Sequence, residues 1–212
     1  MRAILIPVKS FTQVKQRLAP QLALHDRISL VQAMRADVFA SVTAVCGVDR
    51  ILVVTSEAQV LEEARVRGWE PIREESQQSE SSSVDFASRV CAQSGFTSLL
   101  RLPIDLPLVT AADIESLFSV LDQSPCAILA PSRDGTGTNA LLRSPPDLFA
   151  SRFGPGSFAL HLAEARRAGA CAKIVRNPRI AFDVDDPEDL AELSRQQGIG
   201  AATVQWLRDR ER

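Results

Sequence analysis

The sequence predicts an α/β protein built on a mixed, mainly parallel sheet with helices on both faces. Three observations carry this. Strand-length apolar runs alternate with helix-spaced apolar patterns from Ala3 to about Leu121, the signature of a doubly wound parallel sheet. The strands read as apolar on both faces, as central parallel strands do. Beyond Leu121 the alternation breaks, and two strands follow each other across a short Gly-rich loop, which predicts an antiparallel excursion. A chain of 212 residues fits one domain with a real core.

Ala3–Val8 reads as the first strand, and Lys9–Pro20 as a polar loop with Lys9, Lys15 and Arg17. Asp26–Val45 carries Ile28, Val31, Met34, Val38, Val42 and Val45 at helical spacing, with Gly47 as the stop. Arg50–Thr55 is a second strand. Ser56 with Gln59 reads as a capping box for a helix that ends at Gly68. Glu70–Arg73 is a short strand, Glu74–Ser83 a polar low-complexity loop, Val84–Gln93 a helix.

Ser98–Leu102 is a buried strand that must stop before Pro103 and Pro107, which cannot donate to a ladder. Asp105 lies between these prolines, past the strand's C-terminal end, where ligands bind in open α/β sheets. Thr110 with Asp113 caps the next helix. Ala127–Pro131 and Asn139–Arg143 are strands around the loop Ser132–Thr138. Phe153-Gly154-Pro155-Gly156-Ser157 opens a helix to about Gly169, and Cys171–Arg176 is a strand. Asp186-Pro187 places Asp at N-cap and Pro at N1 of a helix that Gly198 closes, and a charged helix covers Ala201–Arg210.

A net charge of −2 leaves no electrostatic footprint for nucleic acid or an anionic membrane. No segment is long and apolar enough to span a bilayer, and the N-terminus is not a signal peptide. Cys46, Cys91, Cys126 and Cys171 form no metal-type or redox-type pair and read as buried, reduced thiols of a cytoplasmic protein.

The chemistry-bearing motifs are each ambiguous alone. The basic loop after the first strand sits where such folds grip phosphate, but it lacks both G-x-x-x-x-G-K-[ST] and G-x-G-x-x-G. Asp105 reads equally as a turn residue. Asp183 and Asp185 flank Val184 and share one face of an extended segment, which suits a cation or plain solvent. The loop from Arg133 to Asn139, and Gly154-x-Gly156-Ser157 before a helix, are two candidate anion sites. His161, between Leu160 and Leu162, reads as a packing or capping residue, and His25 as surface.

Together these motifs resemble a known family. Pro7-Val8-Lys9, Lys15-x-Arg17-Leu18, Asp105-Leu106-Pro107, Gly135-Thr136-Gly137-Thr138-Asn139, Phe153-Gly154-x-Gly156-Ser157-Phe158 and Asp183-Val184-Asp185 are similar to the CofC/FbiD guanylyltransferases of coenzyme F-420 biosynthesis. The resemblance implies one nucleotidyltransferase domain over residues 1–212, with the Rossmann-like sheet of nucleotide-diphospho-sugar transferases. It implies GTP gripped by Pro7, Val8 and Lys9, and catalysis by Lys15 and Asp105. Mg²⁺ would be held by Asp105 and Asp185, with Asp183 as a further partner. Lys15, Thr138, Gly154 and Ser157 would bind the acceptor: phosphoenolpyruvate, 2-phospho-L-lactate or 3-phospho-D-glycerate. Where the family often has Gly-Leu-Asn near the base, this chain has Ser83-Val84-Asp85, so Ser83 and Asp85 become the expected base contacts. The expected assembly is a monomer or homodimer. Other readings are a guanylyltransferase of the molybdopterin type and a non-catalytic nucleotide-binding domain.

Overall fold

The computed structural model describes residues 1–11, 14–75 and 77–210. Part of the expected basic loop (12, 13) and of the polar loop (76) lies outside them.

A seven-stranded sheet runs β3-β2-β1-β4-β6-β5-β7. Its strands are β1 (Arg2–Pro7), β2 (Arg50–Thr55), β3 (Glu70–Arg73), β4 (Ser98–Arg101), β5 (Cys126–Pro131), β6 (Thr138–Ser144) and β7 (Cys171–Ile174). β1 pairs parallel with β2 and β4, β2 with β3, and β5 with β7. β6 is reversed, antiparallel to both β4 and β5. This is the excursion read from the sequence, and it matters for function. A reversed strand begins at the edge where its parallel neighbours end, so Thr138 and Asn139 enter the sheet beside the loops that follow β1 and β4.

The helices are α1 (Leu24–Thr43), α2 (Ala58–Val66), α3 (Glu80–Gln93), α4 (Ala111–Ser119), α5 (Ser157–Arg167), α6 (Pro178–Ala181), α7 (Pro187–Leu193) and α8 (Ala201–Arg210). Val38, Phe39, Val60, Ile114 and Leu117 of α1, α2 and α4 pack on Ile4, Ile6, Val53 and Leu100. On the other face Val84, Ala87 and Cys91 of α3 meet Leu5, Leu52 and Leu99, and Ala165 of α5 meets Leu129 and Leu141. Burying each such side chain contributes about 1.5–3 kcal/mol before entropy is counted. Leu30, Val31 and Met34 of α1 form a further cluster with Phe182, Val184 and Leu193, which anchors the second acidic stretch. No helix among the described residues is long and apolar enough to cross a membrane.

Several expected boundaries are corrected. α3 starts at Glu80 rather than Val84, because Ser79 and Ser82 cap it reciprocally and Ser83 Oγ donates to Ser79 O. Serines that looked like loop composition are cap residues. The expected Ser56–Gln59 box is not made: Glu57 is the N-cap of α2, without a side-chain bond. α6 was not foreseen; Asn177 caps it, and Asp113 of α4 accepts from Asn177 and Arg179. α7 ends at Leu193, well before Gly198. Cys46 is exposed and Cys171 half-buried, so only Cys91 and Cys126 are the buried thiols expected.

Candidate active site

The turn after β1 positions Lys15. Its backbone is left-handed (φ 44°, ψ 55°), a conformation costly for a residue with a Cβ. Leu18, fully buried, donates its N–H to Lys15 O and pins the turn. Asp105 follows β4, whose extension is fixed by Leu102 N–H on Leu5 O, and Leu106 is buried just beyond. Val184 N–H donates to Asp105 O at 3.3 Å, so the two acidic stretches, remote in sequence, are stitched together by backbone. Asp186 caps α7 and Asp189 accepts from Asp185 N–H, which turns the Asp185 carboxylate toward Asp105.

Lys15 closes the arrangement. Its Nζ lies 2.6 Å from Asp105 Oδ2 and 2.6 Å from Asp185 Oδ1. The lysine side chain is 10% exposed, that of Asp105 22% and that of Asp185 46%, so the pair opens outward on the Asp185 side. Burial alone would lower the Lys15 pKa, yet Asp105 and then Asp185 override it and hold it raised. Burial alone would raise the Asp105 carboxyl, and Lys15 holds it below the usual range.

Asp183 has a partner of its own. Val184 between the two is fully buried, and Asp183 Oδ1 accepts from Asn139 Nδ2 at 3.0 Å. Burial, then the negative charges of Asp105 and Asp185, push its carboxyl up to about 6. Among the described residues no group of three His, Cys, Asp or Glu side chains is arranged to hold a metal ion. Asp105 and Asp185 thus share one cationic partner, while one oxygen of Asp183 is bonded to Asn139.

The two Gly-rich loops meet beside this pair. Phe158 N–H donates to Thr136 O, and Ser157 Oγ lies 3.3 Å from Thr138 Oγ1. Gly137 runs so close to Ser132 that a Cβ there would sit 2.9 Å from its hydroxyl. Gly154 adopts φ 122°, a region that only glycine enters freely, and Ser157 N–H bonds back to its carbonyl. The N–H groups of Ser157 and Phe158 are therefore already bonded. Two of the N–H groups expected to be free at this helix start are thus taken up, and the Ser157 hydroxyl stands beside them.

Of the expected nucleotide grip, Pro7 ends β1, Val8 is buried with its N–H on Val54 O, and Lys9 pairs with Glu80 Oε2 at 3.1 Å. Glu80 also pairs with Arg101, whose Nη1 bonds Thr138 O and Asn139 O and whose guanidinium lies 4.3 Å from the centre of the Phe153 ring. Arg101 and Glu80 are not among the expected site residues, and Asn139 is so only as part of its loop. The available signal was Arg101 itself, a charge closing an apolar strand.

Ser83 and Asp85 do not join this site. Asp85 accepts from Ser151 N–H with both oxygens, at 2.9 and 3.1 Å, and faces the buried Arg143 at 3.6 Å. Ser83 is buried and bonded within its own helix. Asp85 thus ties α3 to the segment before α5, and Ser83 bonds only locally.

The mixed α/β sheet is a fold shared with solved structures of nucleotidyltransferases. One, assigned as a nucleotide-diphospho-sugar transferase from Desulfovibrio desulfuricans, matches with TM-score 0.80 and 16% identity over 99% of this chain and 95% of its own. A nucleotidyl transferase from Methanothermobacter matches with TM-score 0.65 and 15% identity over 99% of both chains. The family model described as guanylyl transferase CofC like matches residues 1–210, and the chain belongs to that family. Among its relatives, a phosphoenolpyruvate guanylyltransferase of Rubrobacter xylanophilus is 38% identical over 92% of this chain and 94% of its own. A 2-phospho-L-lactate guanylyltransferase of Methanothermobacter thermautotrophicus is 33% identical over 96% of this chain and 88% of its own.

Proposed function

We propose that this protein transfers GMP from GTP to a small phosphorylated acid, releasing pyrophosphate, as a step of coenzyme F-420 biosynthesis. Phosphoenolpyruvate, 2-phospho-L-lactate and 3-phospho-D-glycerate are the candidate acceptors; the first two are named by relatives. The observation that carries the reading is the convergence of Asp105 and Asp185 on one cationic nitrogen at the sheet edge where the Thr138 and Ser157 loops also meet.

That convergence fits a divalent ion. Two carboxylate oxygens already share one positive charge, and Mg²⁺ needs only one or two carboxylates when phosphates and water complete its octahedron. Asp105 and Asp185 would hold it, and when bound it would neutralise charge on the phosphates and the leaving pyrophosphate. The rest falls to the chain's own residues. Lys9 and the end of β1 grip the nucleotide. Lys15, freed from its carboxylates, is a buried cation within reach of phosphate. Thr138, the Gly154 backbone and Ser157 hold the acceptor.

A phosphate oxygen of the acceptor then attacks the α-phosphorus of GTP. A new P–O bond forms, the bond from the α-phosphorus to its bridging oxygen breaks, and pyrophosphate leaves. The attacking oxygen is already anionic at neutral pH, so no general base is needed and catalysis is positioning plus charge neutralisation. A coupled pyrophosphate-release assay with GTP, ATP and CTP against the three phospho-acids tests this. Release that needs GTP and one of these acids supports the reading. Release only with another acceptor, or none in any combination, rejects it.

A further inference from the structure

His161 lies outside the direct grip just described, yet its ring is completely buried against the Thr138 loop. Phe153 packs on it in a T-shaped arrangement, ring centres 4.8 Å apart. Its Nε2 is 2.8 Å from Arg152 N, and a backbone N–H can only donate, so Nε2 is the acceptor. A neutral ring with Nε2 accepting carries its hydrogen on Nδ1. Nδ1 is 3.0 Å from Thr138 Oγ1 and therefore donates to it. Ser157 Oγ donates to the same oxygen at 3.3 Å. Two incoming donors fill the lone pairs of the Thr138 hydroxyl, and its own hydrogen is left for another acceptor. Burial, then the charges of Arg143 and Arg101, push the imidazole down to about 3, so the ring stays neutral at working pH.

We infer that His161 is a positioning residue for the acceptor substrate: through its Nδ1–H it fixes the Thr138 hydroxyl as a hydrogen-bond donor aimed at an anionic oxygen. This rests on the reading that the Thr138 and Ser157 loops face the phospho-acid. A hydroxyl free to rotate would offer a lone pair to the anion for part of the time, and that contact is repulsive. With both lone pairs occupied from behind, only the attractive orientation remains.

The two ring nitrogens can be removed separately. His161→Gln retains an acceptor near the Nε2 position for Arg152 and loses the donor to Thr138. His161→Asn retains a donor near the Nδ1 position and loses the bond to Arg152. His161→Gln is expected to raise the acceptor KM about tenfold, the scale of one hydrogen bond to a charged group, with the GTP KM unmoved. His161→Asn should rescue most of that rise although it also lowers Tm. Equal KM changes in the two variants, following their Tm, would show mere packing and overturn the inference. Thr138→Val is the control: if it leaves the acceptor KM unchanged, the acceptor reading itself fails, whereas a rise there without one in His161→Gln condemns only the role of His161. A measurement on the unaltered chain does not depend on how variants fold. The chain has two histidines, so ¹⁵N spectra of the imidazoles are readily assigned. The buried ring should show the Nδ1–H tautomer with and without phosphoenolpyruvate, and an Nε2–H tautomer would contradict the proposal.

Discussion

Lys15 Nζ and Asp105 Oδ2, ninety positions apart in sequence, meet at 2.6 Å, and the same nitrogen reaches Asp185 Oδ1 at an equal distance. The lysine thus occupies the ground that a divalent ion would share with the two carboxylates. The ammonium keeps two acidic groups together at the sheet edge, and on the proposed reading a bound ion would release the lysine toward phosphate.

Lys15→Met is therefore expected to tighten Mn²⁺ binding in the absence of nucleotide while lowering turnover. Two unit charges about 4 Å apart interact by about 4 kcal/mol at an effective dielectric near 20, so a gain of about tenfold in affinity is a modest expectation. Calorimetric Mn²⁺ titration reads it. Unchanged or weaker binding in the variant would mean that the ion goes elsewhere.

Asp105→Asn keeps the shape and an acceptor oxygen but removes the charge. Turnover should fall at least about a hundredfold, the scale of one electrostatic group in an active site. Asp185→Asn should act in the same direction, and raising Mg²⁺ should partly restore either. Activity that survives while Tm falls would make Asp105 a turn residue only.

Much of this was legible in the sequence because the signals were local. Apolar runs with flanking prolines gave the strand before Asp105, the Asp186-Pro187 pair gave the start of α7, and Gly154-x-Gly156-Ser157 gave the start of α5. Contacts made across the sheet were not legible. Nothing near Lys15 announces that it bridges Asp105 and Asp185. Arg101 acquires meaning only because the reversed β6 brings the carbonyls of Thr138 and Asn139 to its guanidinium. Asp85 misled for the same reason: an exposed-looking carboxylate at a motif position is taken up by Ser151 and Arg143, both remote from it in sequence.

Asp85→Asn separates stability from specificity. The substitution leaves Arg143, 2% exposed, without its carboxylate, and stability should fall by about 2 kcal/mol or more. The ratio of GTP to ATP use should stay as it is. A variant of normal Tm that no longer prefers GTP would restore the base-reading role.

His161 also gives stability a pH dependence. Its folded pKa of about 3 lies below the ordinary 6.5, so between these values the unfolded chain binds a proton that the folded chain refuses. Its contribution is present above about pH 6.5 and declines as the pH falls toward 3, with a slope of up to about 1.4 kcal/mol per pH unit. Denaturant midpoints at pH 7 and pH 5 should fall more steeply for the wild-type chain than for His161→Asn. Parallel falls would show that the buried ring titrates normally.

The most direct measurement is to watch the transferred phosphorus. ³¹P NMR of the protein with GTP, Mg²⁺ and each phospho-acid in turn should show GTP disappearing, pyrophosphate growing, and a pair of mutually coupled resonances from a new diphosphate diester with one of the three acids. Asp105→Asn under the same conditions should show that pair growing at least about a hundredfold more slowly. GTP left intact beside all three acids, or pyrophosphate that grows without any acceptor-linked diester, would contradict the account.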